Sequence, residues 1–159
     1  MSLTYIVGAR QSGKTTRLKE LIQDDTLIVM VNRSMWTQFR PPVAHPTNFK
    51  MVVPADFVWG NIEAMRLGDY ARVLVDNADM MSDWFIDQLF AARLNTEITI
   101  TFTPFVVTLP RIPALWHHWG KATIERLQSR DFLFTQLLKD EMPEDHYRTQ
   151  ILGEWVVKE

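Results

Sequence analysis

Short apolar runs alternate with amphipathic segments along this chain, the pattern of an α/β domain. Thr4 to Val7 predicts the first strand and Lys14 to Ile22 the helix after it. Thr26 to Val31 (TLIVMV) is continuously apolar, as a strand buried on both faces requires. Phe49 to Val53, Arg72 to Asp76 and Glu97 to Phe102 supply three more strands, and Ala122 to Leu127 a last one. Between them, Ser34 is placed to cap a short helix through Phe39, and Gly60 to Leu67 reads as another helix. Ser82 heads a longer amphipathic helix that runs to Asn95, with Trp84, Phe85, Leu89, Phe90 and Ala92 near helical spacing. Phe132 to Asp140 and Pro143 to Gly153 predict two further helices. The proline-bearing stretches Arg40 to Asn48 and Thr103 to Gly120 read as connections, the second with short turns. The expectation is one domain over residues 1–159, with a mainly parallel central sheet and helices on both faces.

Composition narrows the choice without naming a chemistry. Hydrophobic residues make up 47% and charged residues 23%, the balance of a globular chain. With no cysteine, disulfides and thiolate metal sites are excluded. No apolar run approaches the ~20 residues of a membrane span, and the N-terminus lacks a secretory signal pattern. A net charge of −2 leaves no overall basic field, so any contact with nucleic acid must rest on a local patch or on several subunits. Most of the six tryptophans (Trp36, Trp59, Trp84, Trp116, Trp119 and Trp155) are expected in the core or at subunit contacts.

The informative stretch is GARQSGKTT, Gly8 to Thr16, between the first strand and its helix. Gly8, Gly13, Lys14 and Thr15 complete the pattern G-x-x-x-x-G-K-[ST], the Walker A loop. Such a loop folds its backbone N–H groups around phosphates and sets them at a helix N-terminus, where the dipole favours negative charge. Gly13 permits a close backbone approach, Lys14 reaches the β- and γ-phosphates, and the Thr15 hydroxyl can ligate Mg²⁺. The whole loop, Gly8, Ala9, Arg10, Gln11, Ser12, Gly13, Lys14, Thr15 and Thr16, is therefore the expected nucleotide cradle, with ATP and Mg²⁺ as ligands.

Two further strand ends fit that ligand. Asp76, closing RVLVD, is placed to hold Mg²⁺ through its water shell. The next position, where many ATPases with this layout carry a glutamate that polarises the attacking water, is Asn77. An amide can orient a water but accepts no proton at neutral pH, and Asp79 two residues on is a candidate for the missing carboxylate. On this reading hydrolysis is slow, or is completed by a neighbour, and a carboxylate restored at Asn77 should raise it. In ITFTPF, Thr103 falls at the carboxyl edge of the sheet, where a hydroxyl can sense the γ-phosphate.

Taken in order, GARQSGKTT, RVLVDNADMM, ITFTPF and HYRTQILGEWV resemble the ATPase domain of a tailed-phage large terminase, the motor that packages DNA. The last phrase, His146 to Val156, is similar to the Y-R-x-Q-x-L-G-E-[FW] stretch that closes that domain. The resemblance implies an ASCE-like P-loop NTPase that couples ATP hydrolysis to translocation of duplex DNA. It implies Arg10 as an arginine near the γ-phosphate, Asp76 as the metal carboxylate and Thr103 as the coupling residue. It further implies a homo-oligomeric working state with an arginine acting across subunits, for which Arg93, Arg111, Arg126 and Arg130 are candidates. Portal or other packaging proteins would be partners, and the host cytoplasm during virion assembly the setting. The resemblance begins at the first strand, without the segment that helps hold adenine in the family. It ends where the family's nuclease domain begins, so DNA cleavage is not expected of this chain; a separate nuclease, an excised domain or a reduced viral protein would each account for that. Two other readings stand beside it: a nucleotide-binding regulatory or assembly module with little hydrolysis, and a small-molecule kinase, for which Leu109 to Pro113 is the nearest arginine-bearing loop.

Overall fold

The computed structural model of the chain describes residues 2–10, 12–35, 49–56, 70–92, 96–127 and 141–159. The sequence-predicted helices at Gly60 to Leu67 and Phe132 to Asp140 lie outside these residues, as do the Arg40 to Asn48 connection and Arg93, Asn95 and Arg130.

Six strands form one sheet: β1 (Leu3–Gly8), β2 (Thr26–Val29), β3 (Phe49–Val52), β4 (Arg72–Val75), β5 (Glu97–Phe102) and β7 (Thr123–Leu127). Their order is β3-β2-β4-β5-β1-β7, and every neighbouring pair is parallel. In this order a further strand, β5, separates the glycine-loop strand β1 from the acidic strand β4. Because all strands run the same way, β1, β4 and β5 deliver their C-terminal ends to one edge.

Strand alternation sorts the core into two layers. Tyr5, Val7, Val73, Val75, Ile98, Ile100 and Phe102 face α2 (Asp83–Ala92) and α3 (Ala114–His117) in one buried cluster. Ile6, Ile28 and Leu74 point the other way and meet Leu18 of α1 (Lys14–Lys19). Helices thus cover both faces. A six-residue helix is marginal in isolation. Leu18 anchors α1 to the sheet, and Arg17 donates to Glu125 of the edge strand β7 at 2.8 Å.

The structure departs from the sequence-based reading at several points. The helix predicted to reach Ile22 ends at Lys19. The helix predicted from Ser34 through Phe39 runs into residues outside those described; within them the Ser34 N–H donates to the Asn32 side chain at 3.1 Å. Ser82 does cap α2, its hydroxyl accepting the Phe85 N–H at 3.2 Å. Trp84, however, stands 54% exposed on that helix, and Ile86 takes the buried position. The Thr103 to Gly120 connection contains a strand, β6 (Val106–Thr108), besides α3. Strand β6 pairs in parallel with β8 (Val156–Lys158) near the chain end. Trp155 precedes β8 and packs its ring against Phe102, Phe105, Trp116 and Trp119. Three of the tryptophans therefore belong to an intramolecular aromatic cluster, while Trp36 and Trp59 fall outside the described residues.

Candidate nucleotide-binding site

Two glycines shape the loop for different reasons. Gly13 adopts φ 91°, ψ 20°, a left-handed conformation from which α1 begins. Gly8 pairs with Leu127 across β1 and β7, and a Cβ there would lie 2.6 Å from Ser12 Oγ and 2.7 Å from the Leu127 carbonyl oxygen. Neither position tolerates a side chain. Between them Ala9 and Ser12 are buried, Arg10 is exposed, and Gln11 lies outside the described residues. Ser12 Oγ is buried with no hydrogen-bond partner among the described residues.

Lys14 turns back over the loop and donates to the carbonyl oxygens of Ala9 at 2.5 Å and Gly8 at 3.3 Å. Burial pushes its ammonium below the ordinary value of 10.5, opposed by Asp79 and Asp76 and reinforced by Arg10. Asp76 is 1% exposed, and burial raises its carboxyl above the usual range. Hydrogen bonds from Thr101 and Thr15, and the charge of Lys14, oppose that shift. Thr15 Oγ1 donates to the Asp76 carboxylate, at 3.2 Å from one oxygen and 3.1 Å from the other, joining residues 61 apart in sequence. A hydroxyl and a carboxylate in contact are the hard oxygen donors that Mg²⁺ accepts. Among the described residues no group of three or more His, Asp or Glu side chains is arranged to hold a metal ion, so an ion here would depend on nucleotide oxygens and water for its remaining ligands.

Beyond Asp76 the backbone turns sharply. Asn77 sits at φ 55°, ψ 49°, a conformation asparagine tolerates better than most residues, and opens a 3-10 turn over Ala78–Met80. Its side-chain amide donates to Asp76 Oδ2 at 3.2 Å. That turn brings Asp79 back to the cleft. Asp79 Oδ1 accepts the Thr103 N–H at 3.3 Å, and Oδ2 lies 3.9 Å from the Arg10 guanidinium. Thr103 is itself buried. Arg10, Gly13, Lys14, Thr15, Thr16, Asn77 and Thr103 line an open cleft of about 370 Å³.

Three residues of the site escaped the sequence reading. Thr101 Oγ1 donates to Asp76 Oδ1 at 2.7 Å and accepts the Asn77 N–H at 3.0 Å, so it orients the carboxylate and anchors the turn after it. Period-two alternation in EITITFT already put Thr101 on the face of Thr103, and that was its available signal. The others lie in the closing phrase. Gln150 accepts the Arg10 backbone N–H at 3.2 Å, and its side-chain oxygen accepts Arg10 Nε. Gly153, at φ 68°, packs its Cα on the loop so closely that a Cβ would lie 2.8 Å from the Gly8 carbonyl carbon and 2.9 Å from Ala9 N. Arg126 donates to the Gly153 carbonyl at 3.3 Å and lies over the Trp119 ring, an intramolecular engagement. Arg111 is exposed on the turn after β6.

No protein-family model and no curated protein sequence matches the chain. Among solved structures it is similar to the large terminase of a thermophilic bacteriophage. One crystal form of that terminase superposes with a TM-score of 0.62 at 12% identity, over 96% of this chain and 48% of that one. The same terminase in complex with ADP gives 0.56 at 11% identity, over 98% of this chain and 48% of that one. Its complex with ATP-γ-S gives 0.58 at 10% identity, over 98% and 47% respectively. The chain spans about half the length of these terminase structures, and at such identities the likeness is one of fold.

Proposed function

We propose that this chain binds ATP with Mg²⁺ in the cleft and hydrolyses it, as the motor domain of a viral DNA-packaging terminase acting as a ring on duplex DNA. The observation that carries the reading is the meeting of Lys14, Thr15 and Asp76, from two separate strand ends, at one edge of a parallel sheet. The fold likeness to a terminase crystallised with ADP and with ATP-γ-S supports the ligand class.

Roles follow from the atoms. Lys14 would leave the loop carbonyls to meet phosphate oxygens, a stronger partner for an ammonium. Thr15 and Asp76 would hold Mg²⁺, which when bound neutralises charge on the β- and γ-phosphates. Arg10 and Thr103 line the same cleft, and on this reading they would face the terminal phosphate. Asp79 is the general base: it takes a proton from the attacking water as the new oxygen–phosphorus bond forms and the bond to the β-phosphate oxygen breaks, releasing ADP and phosphate. Asn77 is unsuited to that task, because its amide is committed to Asp76. A net charge of −2 supports weak duplex binding by one copy, and binding that emerges with ATP or assembly. Portal or other packaging proteins complete the proposed assembly, in the host cytoplasm. Among the described residues no helix is long and apolar enough to cross a membrane.

ATP turnover by the purified chain, with and without duplex DNA and against Lys14→Ala, tests this reading. Turnover above the variant and stimulated by duplex is expected. The commitment of Asn77 favours a second reading, a nucleotide-binding assembly module. Tight ATP binding with no turnover under either condition would select it.

A further inference from the structure

We propose that Gln150 is the positioning residue that holds Arg10 toward the terminal phosphate and so makes the cleft prefer a triphosphate to a diphosphate. This rests on the reading of the cleft as a nucleotide site. Arg10 is a long, exposed side chain on a loop, and left alone it would sample many rotamers. Instead it is held at three points. Its N–H donates to the Gln150 carbonyl, its Nε to the Gln150 side-chain oxygen, and its Nη2 lies 3.9 Å from Asp79 across the cleft. One residue thus fixes both the backbone and the start of the guanidinium.

The choice of an amide matters. Gln150 accepts a hydrogen bond without bringing a negative charge, so the guanidinium keeps its charge for an anion. Fixing Nε leaves Nη1 and Nη2 as the prongs that meet an anion, with Nη2 3.9 Å from Asp79 across the cleft.

Gln150 is itself held firmly. It lies in a π-helical turn, Tyr147–Ile151, closed by a Leu152 N–H to Tyr147 carbonyl bond of 3.1 Å. Tyr147 and Thr149 are buried beneath it, and the Thr149 hydroxyl donates to the Asp145 carbonyl at 2.9 Å. Gly153 then lies against Gly8 and Ala9. Trp155 packs on Phe102 and Phe105, the residues to either side of Thr103 and Pro104, and the Val156 N–H donates to the Phe105 carbonyl at 3.4 Å. The stretch from Gln150 to Val156 therefore ties down the wall that carries Arg10 and the wall that carries Thr103.

The test measures Kd for ATP-γ-S and for ADP, each with Mg²⁺, on the full chain and on Gln150→Leu, Arg10→Ala and the double variant. Gln150→Leu should lower the preference for ATP-γ-S about tenfold, the scale of one hydrogen bond to a charged group, and leave ADP affinity within about twofold. Arg10→Ala should match it, and the double variant should add nothing further, because the two act in series. Equal weakening of both nucleotides by Gln150→Leu at an unchanged melting temperature, or additive effects in the double variant, would overturn the proposal. A parent chain that binds neither nucleotide would instead overturn the reading of the cleft, and this inference with it. Gln150→Leu preserves side-chain size, and a thermal melt of each variant separates misfolding from loss of preference.

Discussion

Beneath α2 and α3 the sheet presents Tyr5, Val75, Ile100 and Phe102, closed over by Phe85, Leu89 and Leu115. At their C-terminal ends the same strands present Gly8, Asp76 and Thr103. The first region needs only volume and contact, and its residues are more stable buried than exposed. The second holds an ammonium and a carboxylate away from water, and burial disfavours the charged form of each. A cluster selected for stability alone would be neutral. On the proposed reading, phosphate oxygens and a metal ion would offset that cost with charged partners.

Asp79→Asn should break the polar region most severely. Removing a positioned base commonly lowers turnover ~10²–10⁴-fold, whereas ATP affinity should change far less, because Asp79 bonds neither Thr15 nor Asp76 and meets Arg10 only at 3.9 Å. Single-turnover hydrolysis beside a binding titration checks both. Asn77→Glu sharpens the same point. On sequence alone a glutamate there should help, but the position has φ 55° and the amide faces Asp76 Oδ2. A second carboxylate would meet repulsion and backbone strain, so no gain in rate is expected. A rate rise would return the base to that position.

Lys14→Ala comes next. ATP affinity should fall about 10²-fold, the value of a charge-assisted contact between the buried Lys14 ammonium and phosphate. Its melting temperature should be unchanged or raised, since the buried ammonium is a burden on the fold. Equal nucleotide binding by parent and variant would end the phosphate-cradle reading.

Gly153→Ala tests the brace. The added Cβ has no space and the left-handed backbone disfavours it, which together should destabilise the chain by about 2–3 kcal/mol in urea unfolding. Val157→Ala, at an exposed site on β8, should stay within about 0.5 kcal/mol. Thr101→Val, which keeps the shape but removes the donor to Asp76, should cost about 1–3 kcal/mol, and Thr101→Ser less.

The smallest effect is pH dependence in the metal-free, nucleotide-free chain. The folded-state value of Asp76 lies above its ordinary 3.8, so the folded chain binds the proton more tightly than the unfolded chain. Folding stability from this group is therefore greatest at low pH and falls as pH rises from 3.8 through the raised value. Asp76→Asn should flatten that slope in urea midpoints measured across the window. A slope unchanged in the variant would assign it to another group.

The glycine loop was legible in the sequence because its constraint is local: a strand, a turn and a helix start within a few residues, and Gly13 and Lys14 serve any such loop alike. The strands were legible for a similar reason, since burial on two faces writes itself as continuous apolar runs in β2 and β4. Tertiary structure alone decided the rest. Thr101 matters because register sets β5 beside β4, which no spacing within EITITF reveals. The strands β6 and β8 are three residues each and define one another from distant parts of the chain, too short to carry a period. Gln150 and Gly153 stood in a phrase recognisable by resemblance, but their work is contact with Arg10, Gly8 and Ala9, far away in sequence. A local motif states its own geometry; a contact between distant segments exists only once the sheet between them has formed.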